Sequence, residues 1–185
     1  VEEHYLPRQA GGALPKSVPG QGLALADRLD SLVGLFIAGE EPTGEKDPYG
    51  LRRAALGVIR ILVEKKLDLD VATLVEEAAD GYVVGGLGTG DSAKAQCTTF
   101  ILERYRSLYV ALGFAQDEIS AVLEAGAKRP LDFDRRLKAV SRFRHHRDAP
   151  SLTAANKRIR NILRKSEESI PAQIDAQCLS EPAEI

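Results

Sequence analysis

Methionine is absent from the 185 residues, even at position 1, and the chain opens in mid-phrase at Val1-Glu2-Glu3, so it is expected to be an excised piece of a longer protein. Histidine is scarce: His4, His145 and His146 are all there are. The two cysteines, Cys97 and Cys178, lie far apart and share no metal-ligand spacing with a histidine. Neither a zinc site nor a disulfide framework is suggested, and a reducing cytoplasm fits. Apolar residues never run uninterrupted for the length of a membrane span, and no charged-then-apolar leader opens the chain. It therefore reads as soluble and unsecreted, with no membrane partner. Period-2 alternation is missing as well, which excludes a sheet protein and points to an all-α fold. With 44% hydrophobic residues, that fold has enough apolar material for a packed core.

The net charge of -2 conceals an uneven distribution. Between Asp132 and Lys165 stand eleven Lys or Arg against three Asp, a local charge of +8 that leaves -10 on the remainder. Such asymmetry marks a polyanion-binding segment joined to an acidic globular body.

Residues 5–21 are rich in Pro and Gly and read as irregular. From about Gly22 to Ala38, Leu25, Leu29, Leu32, Val33 and Phe36 recur at helical spacing, and Gly39 suits the stop. Asp47 can cap, and Pro48 can open, a second helix to about Lys66, whose apolar face is broad. Asp70 is placed to cap a shorter helix to about Ala79. Five glycines between 81 and 90 mark a boundary, after which Asp91 or Ser92 opens a long helix with the stripe Cys97, Ile101, Tyr105, Leu108 and Leu112, ended by Gly113. A helix near 117–125 and two basic helices, about Phe133 to His146 and Leu152 to Lys165, complete the pattern.

Three features could carry chemistry. The run Gly85-Gly86-Leu87-Gly88-Thr89-Gly90 ahead of a helix invites a phosphate-loop reading, but Asp91 and Ser92 stand where Lys and Ser/Thr are needed and no strand precedes it. A linker is the better reading. Asp27 and Asp30 share a helix face and could bind a metal, yet histidine partners are not near; surface acids paired to Arg28 or Arg60 are the plainer expectation. The basic helices differ because their charge is patterned. At about 100° per residue, Leu152, Ala155, Ile159, Ile162 and Leu163 form one face, with Lys157, Arg160, Asn161 and Arg164 nearly opposite. In the preceding helix Phe133, Leu137 and Val140 turn inward while Arg135, Lys138, Arg142 and His145 line the other side. No Glu interleaves these cations before Glu167, as a merely solvated face would have it, so the charge is left for an anionic partner. The bias toward Arg suits a fork that grips phosphate and stacks on bases. Nucleic acid is the expected ligand, with Arg135, Lys138, Arg142, Lys157, Arg160 and Arg164 as phosphate contacts and Asn156 and Asn161 as hydrogen-bonding amides.

Three phrases carry a family resemblance. The first is Glu3-His4-Tyr5-Leu6-Pro7-Arg8 followed by Ala24-Leu25-Ala26-Asp27-Arg28-Leu29-Asp30-Ser31-Leu32-Val33-Gly34. The second runs from Pro42-Thr43-Gly44 through Lys46-Asp47-Pro48 to Leu51-Arg52-Arg53-Ala54-Ala55-Leu56-Gly57. The third is Phe133-Asp134-Arg135-Arg136-Leu137-Lys138-Ala139-Val140 leading to Ala154-Ala155-Asn156-Lys157-Arg158-Ile159-Arg160-Asn161-Ile162-Leu163. Together they resemble the beta subunit of the heterotetrameric (alpha2beta2) bacterial-type glycyl-tRNA synthetase over nearly the whole chain. The resemblance implies that residues 1–80 are the C-terminal part of an HD-like helical domain, 81–91 a glycine-rich linker, and 92–185 a helical segment leading into a truncated DALR-type anticodon-binding domain. It implies a non-catalytic, tRNA-binding part of a glycine-tRNA ligase, with glycine tRNA and the alpha subunit as partners. ATP and Mg would be used by the alpha subunit, and no cofactor, metal or catalytic residue is expected here. Asp27 resembles the last metal-ligand Asp of true HD hydrolases, but its partners are absent. The competing expectations are an HD-related metal-dependent phosphohydrolase fragment and an assembly module that grips an acidic protein.

Overall fold

The computed structural model describes residues 2–9, 11–42, 47–84 and 90–165. The glycines at 85, 86 and 88, Glu167 and Cys178 therefore lie outside the described residues. Within them the fold is all-α: a 3-10 turn at Glu2–Tyr5, then α1 (Val18–Ile37), α2 (Leu51–Glu64), α3 (Val71–Val84), α4 (Asp91–Ala111), α5 (Gln116–Glu124), α6 (Pro130–Arg144) and α7 (Ala149–Lys165). No strand occurs among the described residues. The chain divides into two compact units, one ending at Arg142 and one beginning at Phe143.

In the first unit α1 begins four residues earlier than its apolar spacing suggests. Ser17 is the cap: its hydroxyl oxygen accepts from the Gly20 N–H at 3.1 Å, and Pro19 occupies the first turn, where its missing N–H costs nothing. Glu3 of the 3-10 turn reinforces this cap by accepting from the backbone N–H groups of Ser17 (3.1 Å) and Lys16 (3.2 Å) and from the Ser17 hydroxyl. Those bonds hold the Glu3 carboxyl below its usual range, the Ser17 hydroxyl contributing most. Gly39, at φ +78°, ends α1 as expected: its N–H donates to Phe36 and that of Glu40 to Leu35, the paired bonds of a Schellman motif.

α2 starts at Leu51 rather than Pro48. Asp47 nevertheless supplies the cap, its carboxylate accepting from the N–H groups of Leu51 (2.8 Å) and Arg52 (3.0 Å) across the Pro48-Tyr49-Gly50 turn. Asp70 caps α3 through the N–H groups of Ala72 (2.8 Å) and Thr73 (3.3 Å). α3 continues to Val84, beyond the end its apolar pattern suggested, and Tyr82 donates to the Asp30 carbonyl of α1 at 2.9 Å.

α4 packs against α1, α2 and α3, so one apolar core runs from Leu25 and Leu29 through Val58 and Leu62 to Cys97 and Ile101. Burial pushes the Cys97 thiol up to about 12, which leaves it an inert core residue. The α4 stripe ends differently from its expected course. Tyr109 is buried, while Leu112 is 62% exposed. Tyr105 stacks on Phe133 of α6, ring centroids 4.2 Å apart, and Tyr109 lies 5.2 Å from the same ring. The Tyr109 hydroxyl disguises a core residue in an apolar-spacing reading; that hydroxyl donates to buried Asp134 at 3.1 Å. Burial, then Asp134, raises its pKa.

The arginines expected to pair with Asp27 and Asp30 are used elsewhere. Arg28 is buried and donates to the carbonyls of Ala24 (2.8 Å), His4 (3.0 Å), Pro7 (3.2 Å) and Tyr5 (3.3 Å), pinning the N-terminal segment onto α1. Arg60 pairs with Glu64 at 2.7 Å and donates to the Gly12 carbonyl at 3.0 Å. Both carboxylates of the Asp27 and Asp30 pair are exposed.

Candidate nucleic-acid interface

α6 opens on Pro130, whose fixed φ suits a first helical position. Burial of Phe133 and Leu137 sets the rotation of the helix, and Val140 packs partly against the same core. Arg135, Lys138 and Arg142 are consequently exposed on the other side. Their charges are not equally available. Lys138 is held by Asp134 at 2.8 Å, the carboxylate that also accepts from Tyr109, and Arg136 is paired with Asp132 at 2.8 Å. Arg135 and Arg142 have no ion pair among the described residues. His145 falls just past the end of the helix, in a turn, and has a partner of its own.

α7, in the second unit, has 17 residues and a length of about 25 Å at 1.5 Å per residue. Its periodicity was legible: Lys157, Arg160, Asn161 and Arg164 occupy one arc and Leu152, Ile159, Ile162 and Leu163 the opposite one. The apolar arc, expected to face a core, is instead exposed, at 56%, 54%, 58% and 45% respectively. The amphipathic pattern specifies a face but cannot supply the element that covers it. Only Ala149 is buried in this helix.

All five basic side chains of α7, at 157, 158, 160, 164 and 165, are exposed, and none has a carboxylate partner among the described residues. Arg158 and Lys165, outside the expected stripe, widen it: with Lys157 and Asn161 they border a shallow concavity of about 390 Å³. Asn156 lies at the edge of the apolar arc and is exposed, as is Asn161. Five cations without a carboxylate partner among the described residues thus lie on this one helix.

Among the described residues no group of three or more His, Cys, Asp or Glu is placed to hold a metal, and no helix is long and apolar enough to cross a membrane.

The sequence profile of a family described as "Glycyl-tRNA synthetase beta subunit" matches residues 1–124. Over all 185 residues the chain is 49% identical to the glycine–tRNA ligase beta subunit of Edwardsiella ictaluri, and 48% identical to those of Citrobacter koseri and Klebsiella pneumoniae. In each case it spans 27% of the relative's length.

Proposed function

Because the chain belongs to the glycyl-tRNA synthetase beta subunit family, we propose that it is a tRNA-binding, non-catalytic part of such a subunit. In this reading glycine is attached to its tRNA by the alpha subunit of an alpha2beta2 ligase in the cytoplasm. That subunit uses the ATP and Mg, and this part needs no cofactor of its own. The first helices belong to an HD-like domain, and α6 and α7 begin a DALR-type anticodon-binding domain.

The observation that carries the proposal is the unpaired basic arc of α7. Cations on an ordinary helix surface are stabilised by carboxylates three or four residues away, and here Lys157, Arg160 and Arg164 have none. The cost of like charges on adjacent turns is relieved when phosphates take the place of those carboxylates. Arg135 and Arg142 add to the binding from α6, Lys138 less so because Asp134 already holds it. Asn156 and Asn161 offer amides to bases or ribose. The phosphohydrolase alternative would need several His and Asp ligands to converge on a divalent ion, whereas the Asp27 and Asp30 pair supplies two exposed carboxylates.

A titration of labelled glycine tRNA and of a non-cognate tRNA with this chain, at several salt concentrations, tests the reading. The expected result is a log-log slope of about -0.7 to -0.9 for each phosphate contact. Binding that does not change with salt would remove the phosphate-contact account.

A further inference from the structure

The first unit carries a second cationic surface, formed where the N-terminal segment meets the turn before α2. An open cleft of about 500 Å³ is lined there by Tyr5, Arg8, Asp27, Arg28, Tyr49 and Arg53, among others. Arg28 is buried on backbone carbonyls, but the exposed Arg8 and Arg53 guanidiniums stand against one carboxylate, Asp27, so the lining is cationic. Arg53 is exposed and has no ion pair among the described residues, and Arg8 has only a 4.0 Å contact with the solvated Glu2.

The two tyrosines are the second observation. Tyr5 is 59% exposed, with its ring against that of His4 at 3.8 Å between centroids, and Tyr49 is 55% exposed, so both leave much ring surface open to solvent. Both stand on fixed backbone. The Tyr5 carbonyl and those of His4 and Pro7 are held by Arg28. The Tyr49 turn is clamped by the Asp47 carboxylate on Leu51 and Arg52. At Gly50, with φ +68°, a Cβ would lie 3.3 Å from the Arg53 guanidinium, which places that cation against the same turn. Exposed aromatic faces on pinned backbone, interleaved with arginines, make a stacking platform beside phosphate-binding charge.

We propose that this cleft binds an unpaired stretch of RNA, its bases on Tyr5 and Tyr49 and its backbone along Arg8 and Arg53. The proposal rests on the tRNA-binding reading for its biological source of RNA, but it uses residues wholly separate from α6 and α7. Duplex RNA does not fit it, because paired bases offer no free face for the rings. A buried protein helix does not fit either, since the Arg8 and Arg53 guanidiniums would have to be desolvated on docking.

The test is fluorescence anisotropy of the 185-residue chain with a labelled oligouridylate and, separately, an RNA duplex of matched charge. The paired substitution Tyr5→Ala and Tyr49→Ala should weaken oligouridylate binding about tenfold or more and leave the duplex unaffected. Tyr5→Phe with Tyr49→Phe, which keeps the rings, should retain binding within about twofold. Arg53→Glu should lower the salt slope by about 0.7. These effects should persist when Arg160 and Arg164 are replaced by Glu, so failure of the α7 reading shows separately as unchanged tRNA binding in that background. Equal loss in the Phe and Ala pairs, or no loss in the Ala pair, overturns the proposal.

Discussion

Up to Arg142 the charged groups nearest the core are committed to internal partners. Arg28 is taken up by four carbonyls, Arg60 by Glu64 and Gly12, and Asp134 by Tyr109 and Lys138. In α7 the reverse holds: its cations have no carboxylate and its leucines and isoleucines no cover among the described residues. The two regions thus respond to different perturbations. Stability resides in the packed helices of the first unit, where a lost contact leaves a void or an orphaned polar group. The charge of α7 contributes nothing to that packing and is free to act on a ligand.

The largest effect that should separate the regions is a core truncation. Phe133→Ala removes a ring stacked on Tyr105 and should cost about 3–5 kcal/mol, whereas Ile159→Ala on α7 should change stability by no more than about 0.5 kcal/mol. Urea unfolding of the two variants checks this. Similar losses would erase the distinction between the regions.

Next in size is Gly57→Ala. A Cβ at Gly57 would lie 2.7 Å from Arg28 Nε, so the guanidinium that pins the N-terminal segment must move. Overpacking of this kind costs about 1–3 kcal/mol. Amide hydrogen exchange should also accelerate at Gln21 and at the first turn of α1, since the segment that supports them is displaced. An unchanged exchange pattern would show that Arg28 has room to adjust.

Much of this first unit was legible in the sequence. The apolar faces of α1 and α2, the caps Asp47 and Asp70, and the stops at Gly39 and Gly113 all follow from local periodicity and turn chemistry. The start of α1 is obscured by the Pro and Gly content of the residues around it, although Ser17 followed by Pro19 is itself a cap signature. The destination of Arg28 was illegible for a different reason: backbone carbonyls accept from any guanidinium in reach and leave no pattern in the side chains. Tyr109 and Asp134 are 25 positions apart, and only the crossing of α4 with α6 makes them partners. For α7 the stripe follows from helical periodicity, and Arg158 and Lys165 lie beside it and not within it.

The smallest effect is one of pH. Hydrogen bonds from Ser17 and Lys16 lower the Glu3 pKa below its usual 4.5, so their stabilising contribution is present above the unfolded-state value and is lost as pH falls through the folded one. Below about pH 4.5 the N-terminal turn should therefore loosen from α1. Glu3→Gln should already lack the pH-dependent part, as thermal melts across that range would show. Identical pH profiles for the two chains would contradict the assignment.

The central claim, that α7 holds charge for RNA rather than for the fold, is tested most directly by the paired substitution Arg160→Glu and Arg164→Glu. tRNA affinity should drop, and the slope of its salt dependence should flatten by about 1.4–1.8 for two lost phosphate contacts. The thermal midpoint should stay essentially unchanged, because both residues are exposed. A variant that remains folded and binds tRNA with the original affinity and slope would contradict the account.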